Sequence, residues 1–251
     1  MVIRGYDVIL QAGPKVTDSD LATVSAAIFD LDGTLFTGHV WQGIPRYLRL
    51  HRRNRLWLYT FLATHVPLGI LSQTWLVDGE KMRQAWSSHM AWMLRGMSTM
   101  EGERAFTWVA DEHVWPLLRE DVTALLREHQ ARGERIVLLS GAFQPLMNIV
   151  GQRLGADVSL GTRPERRDGH YTGRALEPVC QGRGKAVRLR AYLGGEGSDV
   201  DLTKSSAYAD SIFDLAVLEM VGRPVAVYPD EELAALAAQR GWEIYGDPQK
   251  T

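Results

Sequence analysis

Cysteine is nearly missing from this chain of 251 residues: Cys180 stands alone. An internal disulfide framework is thereby excluded, and a reducing compartment is the better fit. Strong net charge is missing too. The 28 Lys and Arg against 30 Asp and Glu leave −2, which argues against a general nucleic-acid binder, since such proteins are usually strongly basic. The opening "MVIRGYDVILQAGPKVTDSD" has no long apolar core of the kind a secretory signal needs, and no repeat or low-complexity tract occurs. The expected location is the cytoplasm. Apolar content of 45% and charged content of 23% suit a globular protein with one large domain, or a core domain carrying an insertion.

One local absence is sharper. Between Asp32 and Asp78 there is no acidic residue, while Arg46, Arg49, Arg52, Arg53 and Arg55 crowd together. Directly after them comes "LWLYTFLATHVPLGILSQTWLV", 22 residues (56–77) without a charge. That is long enough to span a bilayer, although His65, Pro67, Ser72 and Gln73 interrupt it. Three readings stay open at this point. The run is a membrane span, a buried helical hairpin broken at Pro67, or part of an interfacial surface over 46–77 that meets anionic headgroups at the inner face of a membrane. The last reading would point to a lipid-like phosphate as ligand.

What is present is alternation of strands and helices. Residues 1–24 read as a polar leader. "AAIFDLDGTLF" (26–36) is an apolar strand running out into a Gly-Thr turn, and 40–111 reads as several helices with breaks near Pro67, Gly79 and Gly96. Leu118, Val122, Leu125 and Leu126 share one face of a helix that ends at Gly133. There follow the strand "RIVLLS" ending at Ser140, a helix over "PLMNIVGQRLG", the strand "ADVSL" and an Asp-Gly hairpin turn in "RDGHYTGR". A helix over "KAVRLRAYL" leads to the strand "SSAYAD", which ends at Asp210. Beyond it lie a helix over "IFDLAVLEMVG", the strand "PVAVYP" and a terminal helix over 230–240. Such alternation predicts an α/β fold with a parallel sheet covered by helices on both faces. Asp30, Ser140 and Asp210 each close an apolar strand, and the carboxyl ends of parallel strands form one rim, where ligands bind.

Carboxylates gathered on such a rim repel one another unless a cation neutralises them, and an oxygen-rich site with few protein ligands suits Mg²⁺. One Asp can then attack phosphorus, the other can move a proton, and a Ser and a Lys can hold the phosphoryl oxygens. Two competing motifs fail. A calcium loop starting at Asp30 would place Leu35 where Gly is needed and Trp41 where Glu is needed. A P-loop around Lys185 would need Gly at Val179 and Ser or Thr at Ala186. His39, His65, His89, His113 and His170 show no zinc spacing, Cys180 reads as a packed thiol, and Trp41, Trp57, Trp75, Trp86 and Trp92 read first as core of the insertion.

From about residue 25 to 240 the chain resembles the haloacid dehalogenase (HAD) superfamily, in its phosphoserine-phosphatase-like branch (subfamily IB). The resemblance rests on "DLDGT", "LLSGAF", "GRGKAVRLR" and "YADSIFD", in that order, with "DGHYTGRALEPVCQGRGK" leading to the lysine. It implies a Rossmann-like core over 25–38 and 112–251, with a helical cap inserted at 39–111. It implies a nucleophile at Asp30, an acid/base at Asp32, phosphate binding by Ser140, Gly141 and Lys185, Mg²⁺ held by Asp30, Asp32 and Asp210, and an outer partner at Asp214. The second Asp separates phosphoryl chemistry from dehalogenation. The implied activity is a Mg²⁺-dependent phosphomonoesterase working through an aspartyl-phosphate. A phosphotransferase or an idle membrane-associated module are the alternatives. Relatives that cleave phosphoserine carry a Glu shortly after this motif; "LFTGHVWQ" supplies none, which argues for another small or lipid-like phosphomonoester.

Overall fold

The structure, a computed structural model, describes residues 23–71 and 79–246, with side chains described in that range except at 68–83. Most of the leader read over 1–24, and residues 72–77 of the apolar run, lie outside the described residues. Strand β1 (Ala26–Asp30) is buried along its whole length. It pairs in parallel with β2 (Arg135–Phe143) on one side and β5 (Ser206–Ala209) on the other. A strand with neighbours on both edges and layers on both faces has no polar side, which is why "AAIF" shows no alternation of character.

The sheet continues outward through β3 (Val158–Arg167) and the antiparallel β4 (His170–Leu176), and on the other flank through β6 (Arg223–Val227) and β7 (Glu243–Tyr245). The seven strands lie in the order β4-β3-β2-β1-β5-β6-β7. After β1 the chain builds one flank, then returns to build the other. The order therefore reverses at β1, and the crevice at its carboxyl end is where such sheets take ligands.

Successive residues of β1 feed opposite cores. Ala27 and Phe29 face helices α5 (Glu120–Ala131) and α6 (Gln144–Leu154), through Val122, Leu126, Leu146 and Met147. Ala26 and Ile28 face helices α7 (Arg183–Leu193), α8 (Leu215–Leu218) and α9 (Glu231–Arg240), through Ala186, Leu189, Leu218 and Leu233. The β3–β4 turn uses Asp168 and Gly169 at φ 50° and 75°, the left-handed pair that a two-residue hairpin turn requires.

Between β1 and α5 the chain is helical: α1 (Gly43–Leu50), α2 (Arg55–Leu71), α3 (Gly79–His89) and α4 (Thr99–Val109), with short 3₁₀ turns at Val40–Gln42 and Met90–Leu94. The break expected at Pro67 is absent, because α2 runs through it to Leu71. Proline removes a bond to the carbonyl four residues back. Here both Ala63 and Pro67 are exposed, on a side of the helix open to solvent. Leu58, Phe61 and His65 form the buried stripe of α2, while Leu56, Tyr59 and Val66 are exposed, so the apolar run is not buried all round. Among the described residues, no helix is long and apolar enough to cross a membrane.

Candidate active site

Asp30 is the last residue of β1. The chain then reverses in a turn closed by Gly33 N–H donating to Phe36 O (2.9 Å) and Phe36 N–H donating to Leu31 O (3.1 Å). Gly33 sits at φ +79°, and a Cβ there would run into the Asp210 carboxylate, so this position of "DLDGT" admits only glycine. Asp32 is held from both sides. Its Oδ1 accepts from Val40 N–H at 2.5 Å and its Oδ2 from Ser140 Oγ at 3.0 Å. Burial raises the Asp32 pKa, partly offset by these two bonds and by the charge of Lys185. A carboxyl kept toward its protonated form suits proton donation to a leaving group.

Lys185 is the third residue of α7 and is fully enclosed, with its Nζ 2.6 Å from Asp30 Oδ1 and 2.5 Å from Asp214 Oδ1. Burial works against the ammonium, but Asp214 and Asp30 outweigh it and hold the lysine charged well above its usual range. Thr34 lies between two of the acids, its hydroxyl 3.4 Å from Asp30 Oδ2 and 3.3 Å from Asp210 Oδ1.

Asp210 follows β5 directly. Oxygen atoms of Asp30, Asp210 and Asp214 all lie within 4.8 Å of one another. Four carboxylates, counting Asp32, therefore share one ammonium. The imbalance shows in their protonation. Burial, then the charges of Asp214, Asp210 and Asp32, push Asp30 well above the carboxylate range against the pull of Lys185, and burial followed by Asp214 raises Asp210 to about 7. An all-oxygen set with excess negative charge fits a hard divalent cation.

All seven residues singled out in the sequence converge here. Six of them (Asp30, Asp32, Gly141, Lys185, Asp210 and Asp214) line one cavity, with Ser140 beneath it bonded to Asp32. Two details add to the expectation. Ser140 lies inside β2, which continues through a register shift to Phe143, and its hydroxyl is engaged with Asp32 and with Ala142 N–H (3.0 Å). Asp214, expected as an outer partner, lies in the same acidic group, with an oxygen within 4.8 Å of those of Asp30 and Asp210. Asp230 is a further residue of the site, not among those seven. It caps α9 through Leu233 N–H (2.8 Å), accepts from Ile212 N–H (3.1 Å) and donates its own N–H to Asp210 O (2.7 Å), fixing the loop that carries Asp210. Its only sequence signal is an Asp before Glu-Glu at a helix start. Cys180 is buried and its thiol is pushed up to about 12, mainly by burial, so it is no nucleophile.

Comparison with known proteins agrees with this geometry. The family model for haloacid dehalogenase-like hydrolases matches residues 27–219. The chain is 31% identical over 228 residues to a Mycobacterium tuberculosis protein named phosphoserine phosphatase SerB1, covering 88% of this chain and 70% of that protein. In fold it is similar to a crystal structure of a Bordetella pertussis protein of unknown function, with a TM-score of 0.75, 24% identity, and coverage of 89% and 99% of the two chains. It is also similar to a phosphoserine phosphatase in its apo form, with a TM-score of 0.59, 18% identity, and coverage of 88% and 92%. The chain belongs to the haloacid dehalogenase-like hydrolases, and within them to the phosphatase-like members.

Proposed function

We propose that the protein is a Mg²⁺-dependent phosphomonoesterase whose intermediate is an aspartyl-phosphate on Asp30, and that its substrate is a small or lipid-like phosphomonoester. The observation that carries the reading is the buried Lys185, bridging Asp30 and Asp214 beside a second Asp held by Ser140. One Asp30 oxygen attacks phosphorus while Asp32 gives its proton to the departing alcohol oxygen. Asp32 then takes a proton from water, the hydroxide attacks the same phosphorus, and the P–O bond to Asp30 breaks, releasing phosphate. Lys185 and the backbone around Gly141 offset charge on the phosphoryl oxygens, and Ser140 turns from Asp32 to join them. Asp30, Asp210 and the backbone carbonyl of Asp32 would hold Mg²⁺, with Asp214 beside it; the cation supplies the positive charge that four carboxylates and a phosphate lack. The helices between β1 and α5 serve as the cap over this site. Mg²⁺-dependent release of phosphate from a generic aryl phosphate tests the reading, and its absence at any pH or cation concentration would refute it.

A pH effect follows from Asp210. Its carboxyl titrates near 7 in the cation-free fold, against about 3.9 for an unfolded chain. Between those values the native state binds a proton that the unfolded state lacks, so cation-free stability falls as pH rises and the loss is complete above about 7. Mg²⁺ offsets that loss. Its addition should raise the melting temperature more at pH 8 than at pH 5, and equal increments at both would contradict the assignment of Asp210.

The proposed location is the cytoplasm, with peripheral contact to anionic membrane. Supporting it, Leu50 (65% exposed), Leu56 (73%) and Tyr59 (54%) stand among exposed Arg49, Arg52, Arg53 and Arg55, with no acid between Asp32 and Asp78. Sedimentation with phosphatidylglycerol vesicles should fall on adding salt and on replacing Arg52, Arg53 and Arg55 by Ser. No sedimentation even at low salt would remove this reading.

A further inference from the structure

The cavity over Asp30 measures about 340 Å³, at the small end for a ligand site. Its floor is acidic and its wall is of another character. Val40, Trp41, Trp86 and Met90 from the helical insertion and Phe213 from the Asp210 loop line the space above the phosphoryl position. Among the described lining residues there is no arginine, and the one lysine is Lys185, already bound to Asp30 and Asp214. Among those described residues the acids are the four of the floor, and His39 is the one other titratable side chain. A carboxylate on the organic part of a substrate would meet, among the described lining residues, the imidazole of His39 and the neutral polar groups of Ser87, Gln181 and Ser211, but no arginine and no lysine other than Lys185, and it would lie against the apolar wall, which binding disfavours.

The wall is also fixed in place. Val40 N–H bonds to Asp32, so Trp41 follows one residue after a direct contact with the acid/base. Trp41 meets Trp86 edge to face, with ring centroids 5.5 Å apart at 85°. Phe61 braces Trp86 at 5.2 Å, and His65 stacks on Phe61 at 4.5 Å while its Nε2 lies 2.8 Å from His89 Nδ1. Burial lowers the pKa of both imidazoles, His89 further through His65, which favours the neutral form in the layer behind the wall. Rings locked this way present a stable apolar surface rather than a collapsible one.

Resting on the phosphomonoesterase reading, we infer that the site selects phosphomonoesters whose alcohol is uncharged and apolar, and that Trp41 and Trp86 are the residues that set this preference. An aryl phosphate, an alkyl phosphate and the phosphate end of a single-chain lipid share that chemistry.

The test compares kcat/KM for hexyl phosphate with that for its analogue carrying a terminal carboxylate, and for O-phosphoserine. The inference expects hexyl phosphate to lead both by at least about tenfold, the factor that 1.4 kcal/mol makes. Trp86→Ala should raise KM for hexyl phosphate by about tenfold with kcat little changed, and so erase the lead. Trp41→Leu supplies a second variant if the first melts early. Benzyl phosphate and lysophosphatidate in mixed micelles then distinguish aryl from lipid sources. Equal or better turnover of the carboxylated substrates, or a lead that survives both variants, would overturn the inference while leaving the phosphatase standing. Should no phosphate ester be turned over, the phosphatase reading fails by itself. Calorimetric binding of hexylphosphonate against its carboxylated analogue then decides this inference: a tenfold gap sustains it and parity ends it.

Discussion

Asp30→Asn is expected to lower phosphate release by a factor on the order of 10⁴ or more while leaving the fold intact, because it removes the attacking atom and almost nothing else. Asn matches Asp in shape and keeps an oxygen where β1 ends. Its loss of charge leaves Lys185 with one partner, Asp214, at 2.5 Å. The loss also relieves the crowding that holds Asp30 well above the carboxylate range and contributes to none of the packing around Ile28 and Phe29. Melting temperature should therefore stay within a few degrees of the parent. A large fall in both activity and stability would mean that Asp30 acts chiefly as a structural partner of Lys185. Substantial residual turnover would point to a different nucleophile.

Lys185→Met is expected to produce the opposite balance: a stability loss of about 3–5 kcal/mol, since one partner of a buried ion pair is removed and the carboxylates stay behind. At roughly 2–4 °C per kcal/mol for a chain of this size, that is a fall of about 6–20 °C. The sign with pH is fixed by Asp30 and Asp210, both raised by burial and by neighbouring charge. As pH falls through their titration they become neutral and no longer need the ammonium. The difference between parent and variant should be larger at pH 8 than at pH 5. Millimolar Mg²⁺ should return part of the loss at pH 8, since a cation beside Asp30, Asp210 and Asp214 substitutes for the missing charge. Thermal melts of both proteins at the two pH values, with Mg²⁺ and with a chelator, measure this directly. An unchanged melting temperature would show that Lys185 is not needed to balance the carboxylates around it.

How far the sequence reaches can be judged from the same residues. Asp30 and Asp210 were readable because each ends a short run that is apolar on both faces, which only an interior parallel strand needs. Lys185 was legible only through the resemblance of "GRGKAVRLR" to the family motif, since a lysine near the head of a helix such as α7 is ordinarily a solvated one. The rest depended on tertiary context. Pro67 was expected to break a helix, and whether it does is decided by where the freed carbonyl points. β7 has three residues, "EIY", with Ile244 exposed on a sheet edge, so no periodicity could announce it. The helix expected over "IFDLAVLEMVG" is a 3₁₀ turn followed by the four residues of α8. Asp230 supports the site through its bonds to Ile212 and Asp210, which join it to another part of the chain, while its bond to Leu233 is a local helix cap. Trp41 and Trp86 are 45 positions apart and meet only once the insertion folds, so their shared wall has no signature in either neighbourhood.

In the proposed reaction phosphorus is carried for a time on Asp30. Rapid acid quench during turnover of an aryl phosphate, borohydride reduction of the acyl phosphate and peptide mass spectrometry would read it most directly. Conversion of Asp30 to homoserine is expected in the peptide containing "FDLDGT", dependent on substrate and Mg²⁺ and absent from Asp30→Asn. Conversion at Asp32 or elsewhere, or turnover with no trapped acyl phosphate under conditions that trap one in a known aspartyl-phosphate enzyme, would contradict it.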